Sequence, residues 1–333
     1  MKKYKAAILG CGAIFSRHLA AIQSNSEYFQ LIGIFDPNTA LQLSYTEQLQ
    51  IKGYSNEDEV YADPQINCVI ILSPSSLHYA QAIRALKHKK HVILEKPATF
   101  LVSELRELEQ MAKRQAQEIF CILQVRLNPA VITMRKALDQ GVLGKVRGIS
   151  LIQRWQRPLN YFSGWRGCMT TGGGILREFG IHYLDALQHL VGMPQVVQAR
   201  FFNTKFQGCD VNDTIYALLD FGDFGGSVEI SIAAEPKNLE CSLSIMGEQG
   251  FVKLGGKSLD EIIISDFLDI EANQKFKAIE QEVFAQKVAT LATQGASPYH
   301  PELYRQIILN PNLFSLNQTY NVIQLVENMY QFK

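Results

Sequence analysis

Two glycines that end an apolar run are the first residues in this chain able to do chemistry. In Ala6-Ala7-Ile8-Leu9-Gly10-Cys11-Gly12, Gly10 permits a tight turn, and Gly12 lets the backbone approach a pyrophosphate at the positive start of a helix. Ala13 and Ile14 continue the loop and join the glycines as candidate cofactor contacts. The third position of the dinucleotide fingerprint is Phe15 rather than Gly or Ala, so the motif is incomplete; a loop glycine pair needs no ligand. A second apolar run, Leu31–Phe35, ends at Asp36, where a carboxylate can accept hydrogen bonds from an adenosine ribose. Pro37 and Asn38 follow, with no Arg or Lys nearby to neutralise a 2′-phosphate. That pattern favours NAD over NADP; the competing reading is an Asp that caps a helix.

Two further constellations carry reactive groups. Lys96 precedes Pro97, and a residue before proline is held extended, which helps to aim its ammonium group. Glu178, His182, Asp185 and His189 recur at helical spacing, so they share one helix face. A helix-face histidine paired with an acid is a common structural arrangement. The same four residues could be drawn as a metal site, but the spacing is merely helical and no cysteine or distant ligand supports it. No resident metal is expected.

The elements that must position these groups are legible as periodic patterns. Ala6–Leu9, Leu31–Phe35, Cys68–Leu72, His91–Leu94 and Ile119–Val125 read as buried strands, with helical spacing over Ile14–Ile22, His78–Leu86 and Leu101–Ala112 between them. Apolar strands alternating with amphipathic helices predict a parallel, doubly wound sheet covered on both faces. Beyond a helix at Ala130–Leu138, the strand patterns at Val146–Gln153, Val196–Phe202, Thr214–Phe221, Ser227–Ala233, Ser242–Met246 and Glu261–Ser265 follow one another with turns between them. A strong helix follows Gly172-Gly173-Gly174 and runs to about Val191, and two more close the chain near Pro301–Leu309 and Leu316–Tyr330. Strands without intervening helices predict an open, mainly antiparallel sheet in a second, α+β domain. The expected division is 1–123 for a Rossmann domain and 124–333 for a substrate-binding and oligomerisation domain.

Ser73-Pro74-Ser75 with His78, Glu95-Lys96-Pro97, and Gly172-Gly173-Gly174-Ile175-Leu176 continuing through Glu178, Gly180, His182 and Asp185 resemble the glucose–fructose oxidoreductase and inositol dehydrogenase (Gfo/Idh/MocA) family. With the N-terminal glycines, the likeness covers most of the chain in the correct order. It implies an NAD(P)-dependent oxidoreductase acting on a carbohydrate hydroxyl, with Ser73, Pro74, His78, Glu95 and Lys96 beside the cofactor and Lys96 and His182 in the active site. The residue types suit that chemistry. An imidazole can take the hydroxyl proton, an ammonium can stabilise the developing oxyanion, and Glu178 can orient the imidazole as a carboxylate does in other acid–base sites. One common family pattern has Asp four residues before the histidine, so the longer Glu178 leaves that role open.

Within the family, Gln124-Val125-Arg126-Leu127-Asn128-Pro129 and Tyr161-Phe162-Ser163-Gly164-Trp165-Arg166-Gly167 are most similar to nucleotide-sugar 3-dehydrogenases acting on UDP-N-acetylglucosamine or its uronic acid. That likeness implies substrate contacts from Arg126, Tyr161, Trp165, Arg166 and Asp185. A guanidinium fork suits a carboxylate or diphosphate, and an aromatic ring can stack on a sugar or base. The alternatives are a Trp165 packed in the core and an Arg126 in a salt bridge. Tyr299-His300-Pro301-Glu302 either approaches the pocket or starts a helix. The rival functions are a dehydrogenase of a free sugar, inositol or dihydrodiol, and a non-catalytic cofactor-sensing regulator on the same fold.

Composition limits the partners. Lys plus Arg equals Asp plus Glu at 32 each, and 47% of the 333 residues are hydrophobic against 19% charged. This is a globular balance with no bulk electrostatic case for nucleic acid or an acidic membrane. Cys11, Cys68, Cys121, Cys168, Cys209 and Cys241 form no CxxC pair, which reads as reduced thiols. The first apolar run is broken at Gly10 and Gly12, too early for a signal peptide or span. A cytoplasmic protein is expected, and by family analogy a homodimer or homotetramer.

Overall fold

A computed structural model describes residues 4–288 and 299–333. They fall into two compact units, one of Met1–Ile122 with His300–Ile323, the other of Leu123–Tyr299 with Gln324–Lys333. The return of His300–Ile323 to the first unit corrects the assignment of everything from 124 to 333 to the second. A helix with an apolar stripe packs wherever that stripe finds cover, and sequence order does not say where.

In the first unit the chain runs β1 (Tyr4–Leu9), α1 (Phe15–Ser24), β2 (Phe29–Phe35), α2 (Thr39–Leu49), β3 (Lys52–Gly53), α3 (Glu57–Ala62), β4 (Cys68–Ile71), α4 (His78–Lys87), β5 (His91–Leu94), α5 (Val102–Gln115) and β6 (Ile119–Cys121). The sheet order is β3-β2-β1-β4-β5-β6 with every pair parallel, the doubly wound arrangement expected. Every residue of β4 and β5 is buried, as a sheet covered on both faces requires. Register places Leu9 beside Phe35 and Ile71, and Ile71 beside Leu94. The carboxyl ends of β1, β2, β4 and β5 therefore form one edge. The reversal of strand order between β1 and β4 is where open α/β sheets bind ligands.

Sequence periodicity missed α2, β3 and α3. Helix α2 has no buried residue and so no apolar stripe; its start is set instead by Asn38, whose side chain accepts from the Leu41 amide. Asn56 caps α3 in the same way, ahead of Glu57, Asp58 and Glu59 in the first turn, where acidic groups favour the helix dipole.

The second unit contains α6 (Pro129–Asp139), β7 (Val146–Arg154), α7 (Met169–Gly172), a π-helical turn at Leu176–Gly180, α8 (Ile181–Val191), β8 (Gln195–Phe202), β9 (Thr214–Asp220), β10 (Gly225–Ser231), β11 (Glu240–Gly247), β12 (Gly250–Gly255), β13 (Glu261–Phe267) and α9 (Ile270–Val288). Its sheet order is β13-β12-β11-β7-β10-β9-β8, antiparallel except for β7 against β10. Strand β12 and helix α9 were not expected. The buried stripe of α9 among described side chains is Phe276, Ile279 and Val283, a thin signal in a segment crowded with charge. After α9 come α10 (His300–Leu309) and α11 (Tyr320–Tyr330). Helix α10 packs on α1, so His300 does start a helix. No helix among the described residues is long and apolar enough to cross a membrane.

Candidate active site

At the carboxyl edge of the first unit the two loop glycines have different jobs. Gly10 adopts φ +98°, and a Cβ there would lie 2.9 Å from the Leu72 carbonyl carbon. It is a glycine because β1 and β4 run side by side. A Cβ on Gly12 would meet nothing within 4 Å, so its missing side chain leaves room on the solvent side of the loop, as a closely approaching phosphate requires. Gly12→Ala is therefore expected to melt like the parent while weakening NAD binding by about tenfold, roughly 1.4 kcal/mol. Gly10→Ala is expected to lose about 1–3 kcal/mol of stability through backbone strain. Calorimetric titration and thermal melts of the two variants check the contrast. Phe15, at the third fingerprint position, is wholly buried and sits 4.4 Å from the Tyr45 ring, filling space between α1 and α2 instead of bringing helix and strand close.

Asp36 ends β2 half-buried. One carboxylate oxygen accepts from the Cys11 amide at 2.7 Å and the other from the Asn38 amide at 2.8 Å. The capping role belongs to Asn38, so Asp36 braces the glycine loop. Each carboxylate oxygen keeps a further acceptor site, and these residues fit the pyrophosphate and ribose of a dinucleotide.

The loops after β4 and β5 change two expectations. Ser73 and Pro74 remain half-buried at the edge, with the Ser73 hydroxyl bonded to Gln81. His78 is 1% exposed. Its Nδ1 lies 2.7 Å from the Pro97 carbonyl and its Nε2 lies 2.9 Å from the Ser73 carbonyl. Its ring ties the two loops together. Glu95 is also interior: Oε1 meets His18 Nε2 at 3.1 Å and Oε2 accepts the Lys96 amide at 3.0 Å. Both side chains support the loops: Glu95 accepts from the Lys96 amide, and the His78 ring lies between two loop carbonyls. Lys96 stays half-buried, and its bond to Pro97 is cis.

These buried groups make stability sensitive to acid. Burial lowers the imidazole pKa of His78 and His18, and it lowers that of His189 to about 4, with Arg126 adding to the effect. Between those values and the ordinary value near 6.5 the unfolded chain binds more protons, so stability rises with pH and is lost as pH falls through that window. The urea midpoint is expected to drop steadily from pH 7 to pH 5, and His189→Gln to flatten part of the slope.

In the second unit, the segment after the glycine run buries nearly everything. Between Gly172 and Gln188, Glu178 and His182 are the residues not fully buried. The π turn at Leu176–Gly180 departs from the regular α spacing assumed for this pair, and π turns recur at functional sites. Glu178 Oε1 accepts from the Tyr161 hydroxyl at 2.9 Å and faces Arg166 Nε at 3.4 Å. Arg166 lies over the rings of Trp165 and Tyr161, at 4.5 and 5.3 Å. Arg157, which sequence reading passed over, lies 4.9 Å from both the Trp155 and Phe179 rings. Cationic and aromatic faces thus alternate beside Glu178. Trp165 is half-buried rather than a core residue.

Arg126 and Asp185 do not join that surface. They are 3% and 1% exposed, and they form a bidentate pair: Arg126 Nε to Asp185 Oδ2 at 2.7 Å, and Nη2 to Oδ1 at 2.6 Å. Each is the other's counterion, where sequence reading expected both to face substrate. Asp185 is thereby drawn away from the drawn metal stripe, while Glu178 is engaged by Tyr161 and Arg166. The cluster of ligand-type side chains found among the described residues lies elsewhere, at His18, Glu95 and His300.

Residues 4–122 match the family described as "Oxidoreductase family, NAD-binding Rossmann fold", and residues 131–253 match the GFO/IDH/MocA C-terminal domain. An uncharacterised oxidoreductase of Synechocystis is 28% identical over 274 residues, covering 77% of this chain and 73% of the relative. The scyllo-inositol 2-dehydrogenase (NADP(+)) of Bacillus subtilis is 28% identical over 176 residues, 51% of this chain and 49% of its own. In structure, the WlbA dehydrogenase from Bordetella pertussis, crystallised with NADH and UDP-GlcNAcA, superposes with a TM-score of 0.88 at 24% identity, over 99% of this chain and 95% of that one. That likeness shows a shared fold.

Proposed function

The chain belongs to the GFO/IDH/MocA oxidoreductases and carries their NAD-binding Rossmann fold, and from this premise we propose that it moves hydride between NAD and a sugar hydroxyl, at C3 of a UDP-N-acetylhexosamine or its uronic acid. The observation that carries the alcohol chemistry is the partial exposure of Glu178 and His182 on a segment otherwise buried from Gly172 to Gln188. A helix gives up apolar cover at a base and its carboxylate when those groups have work in solvent or on a ligand.

In the proposed reaction, hydride leaves the carbinol carbon as His182 takes the hydroxyl proton, leaving a ketone; reduction runs the same steps backwards. Lys96 stabilises the oxyanion by charge and hydrogen bonding. Tyr161 and Arg166 engage Glu178, the carboxylate that in this reading orients the base. NAD, when bound, would supply the carbon that accepts or returns the hydride, and Gly12, Ala13, Ile14 and Asp36 are the residues that would hold it. The alternation of Arg157, Arg166, Tyr161 and Trp165 supports a substrate with both an anionic group and a stackable face, as a nucleotide sugar has. Tyr216 and Leu218 stand 49% and 56% exposed on the seven-stranded sheet, supporting assembly as a homodimer or homotetramer.

The test is NADH formation with UDP-N-acetylglucosamine, its uronic acid, free glucose and myo-inositol, each also with NADP. Turnover with a UDP-sugar and NAD is expected. Turnover with free inositol or glucose alone would replace the nucleotide-sugar reading with the free-polyol one, and none with any polyol would favour the cofactor-sensing regulator.

A further inference from the structure

The Lys96 peptide is held on both flanks by buried histidines. On one flank, Glu95 Oε2 accepts the Lys96 amide at 3.0 Å, and Glu95 Oε1 meets His18 Nε2 at 3.1 Å. His18 is wholly buried, and its Nδ1 lies 2.7 Å from the Tyr304 hydroxyl. Glu95 can only accept, so His18 must carry its proton on Nε2, and Nδ1 must accept from Tyr304. That tautomer satisfies every atom of the relay. On the other flank, His78 reaches the Pro97 and Ser73 carbonyls. Burial pushes the Glu95 carboxyl up, but the hydrogen bond from His18 and the nearness of His300 outweigh it and hold it well below the usual range. The relay from Tyr304 through His18 and Glu95 to the Lys96 amide is matched at every step, and a satisfied buried relay is rigid; His78, neutral when buried, donates to one of its two carbonyls.

We propose that His18, Tyr304 and His78 are positioning residues that aim the Lys96 amine, with Tyr304 bringing the C-terminal segment into that task; the proposal rests on Lys96 acting as the cation of the reaction. His300 stands edge-on to His18 at 5.1 Å, with Nε2 3.7 Å from Glu95 Oε1. A divalent metal held by His18, Glu95 and His300 is the competing arrangement. It would require His18 Nε2 to present a lone pair where the relay has it donating to Glu95.

The variants that decide are Tyr304→Phe, which keeps the ring packed on Phe29, His18→Ala, and His18→Gln, whose Nε2 replaces the imidazole donor. Three properties are measured on the full chain: NAD affinity with the thermal melt, kcat and KM on whichever polyol the parent oxidises, and the pH profile of Lys96 acetylation read by mass spectrometry. Tyr304→Phe is expected to melt and bind NAD as the parent does, with kcat down about tenfold at unchanged KM and a displaced acetylation profile. His18→Gln is expected to recover most of what His18→Ala loses. Parent-like kcat and acetylation in Tyr304→Phe and His18→Ala would overturn the proposal, and so would one equivalent of zinc in the purified parent that His18→Ala lacks. If the parent oxidises no polyol but the Lys96 profile still moves in the variants, the clamp stands and the functional reading falls.

Discussion

Lys96→Met is expected to lower turnover by about 10²–10³-fold, the range seen when a group stabilising an oxyanion is removed, while NAD affinity stays within about twofold of the parent, a difference below roughly 0.5 kcal/mol. Methionine keeps an unbranched apolar stem and removes the ammonium with its charge and hydrogen-bond donors. Lys96 is half-buried just beyond β5. Lys96→Arg is not expected to rescue, because a planar fork cannot occupy the place of a compact point charge. Steady-state kinetics with a cofactor titration separate the outcomes. A loss of NAD affinity equal to the loss of turnover would make Lys96 a cofactor ligand, and parent-like turnover would remove it from the reaction.

The second large effect is on stability. Asp185→Asn or Arg126→Met is expected to cost about 3–5 kcal/mol, because either leaves its partner as an uncompensated buried charge. The bidentate geometry and near-zero exposure of both residues support that figure, and Asp185 also accepts from Gln188 Nε2 at 3.0 Å. The double variant Arg126→Leu with Asp185→Leu is expected to recover most of the loss, since apolar residues can replace a buried pair at little cost. Urea melts measure all three. Single variants that melt like the parent but raise KM for an anionic substrate would return Arg126 to the substrate role that sequence reading gave it.

The fold was legible wherever a local pattern forces a local conformation. Buried parallel strands read as unbroken apolar runs, so β1, β2, β4 and β5 and the edge they form could be placed from residue order. Gly10, Gly12 and Asp36 could be found because a tight turn and an acidic strand end leave signatures in the residue types themselves. The Lys-Pro pair was equally visible, whereas the regular α spacing read for Glu178 and His182 is interrupted by the π turn at Leu176–Gly180. Helix α2, with no buried face, left no such signature.

Partner choice lay beyond the sequence. Glu95 precedes Lys96 in the chain and His78 follows the Ser73-Pro74-Ser75 loop; both read as cofactor contacts, yet Glu95 is engaged by His18 and the His78 ring lies between the Pro97 and Ser73 carbonyls. Arg126 and Asp185 looked like substrate ligands and cancel each other. Tyr304 reaches His18 across nearly the whole chain, and the return of His300–Ile323 to the first unit makes that possible. The residue string determines which groups can donate, accept or carry charge, and which segments must be strands or helices. Folding alone decides which of those groups lose water and therefore must find one another, because the penalty for an unmatched buried charge exists only once the core has closed around it.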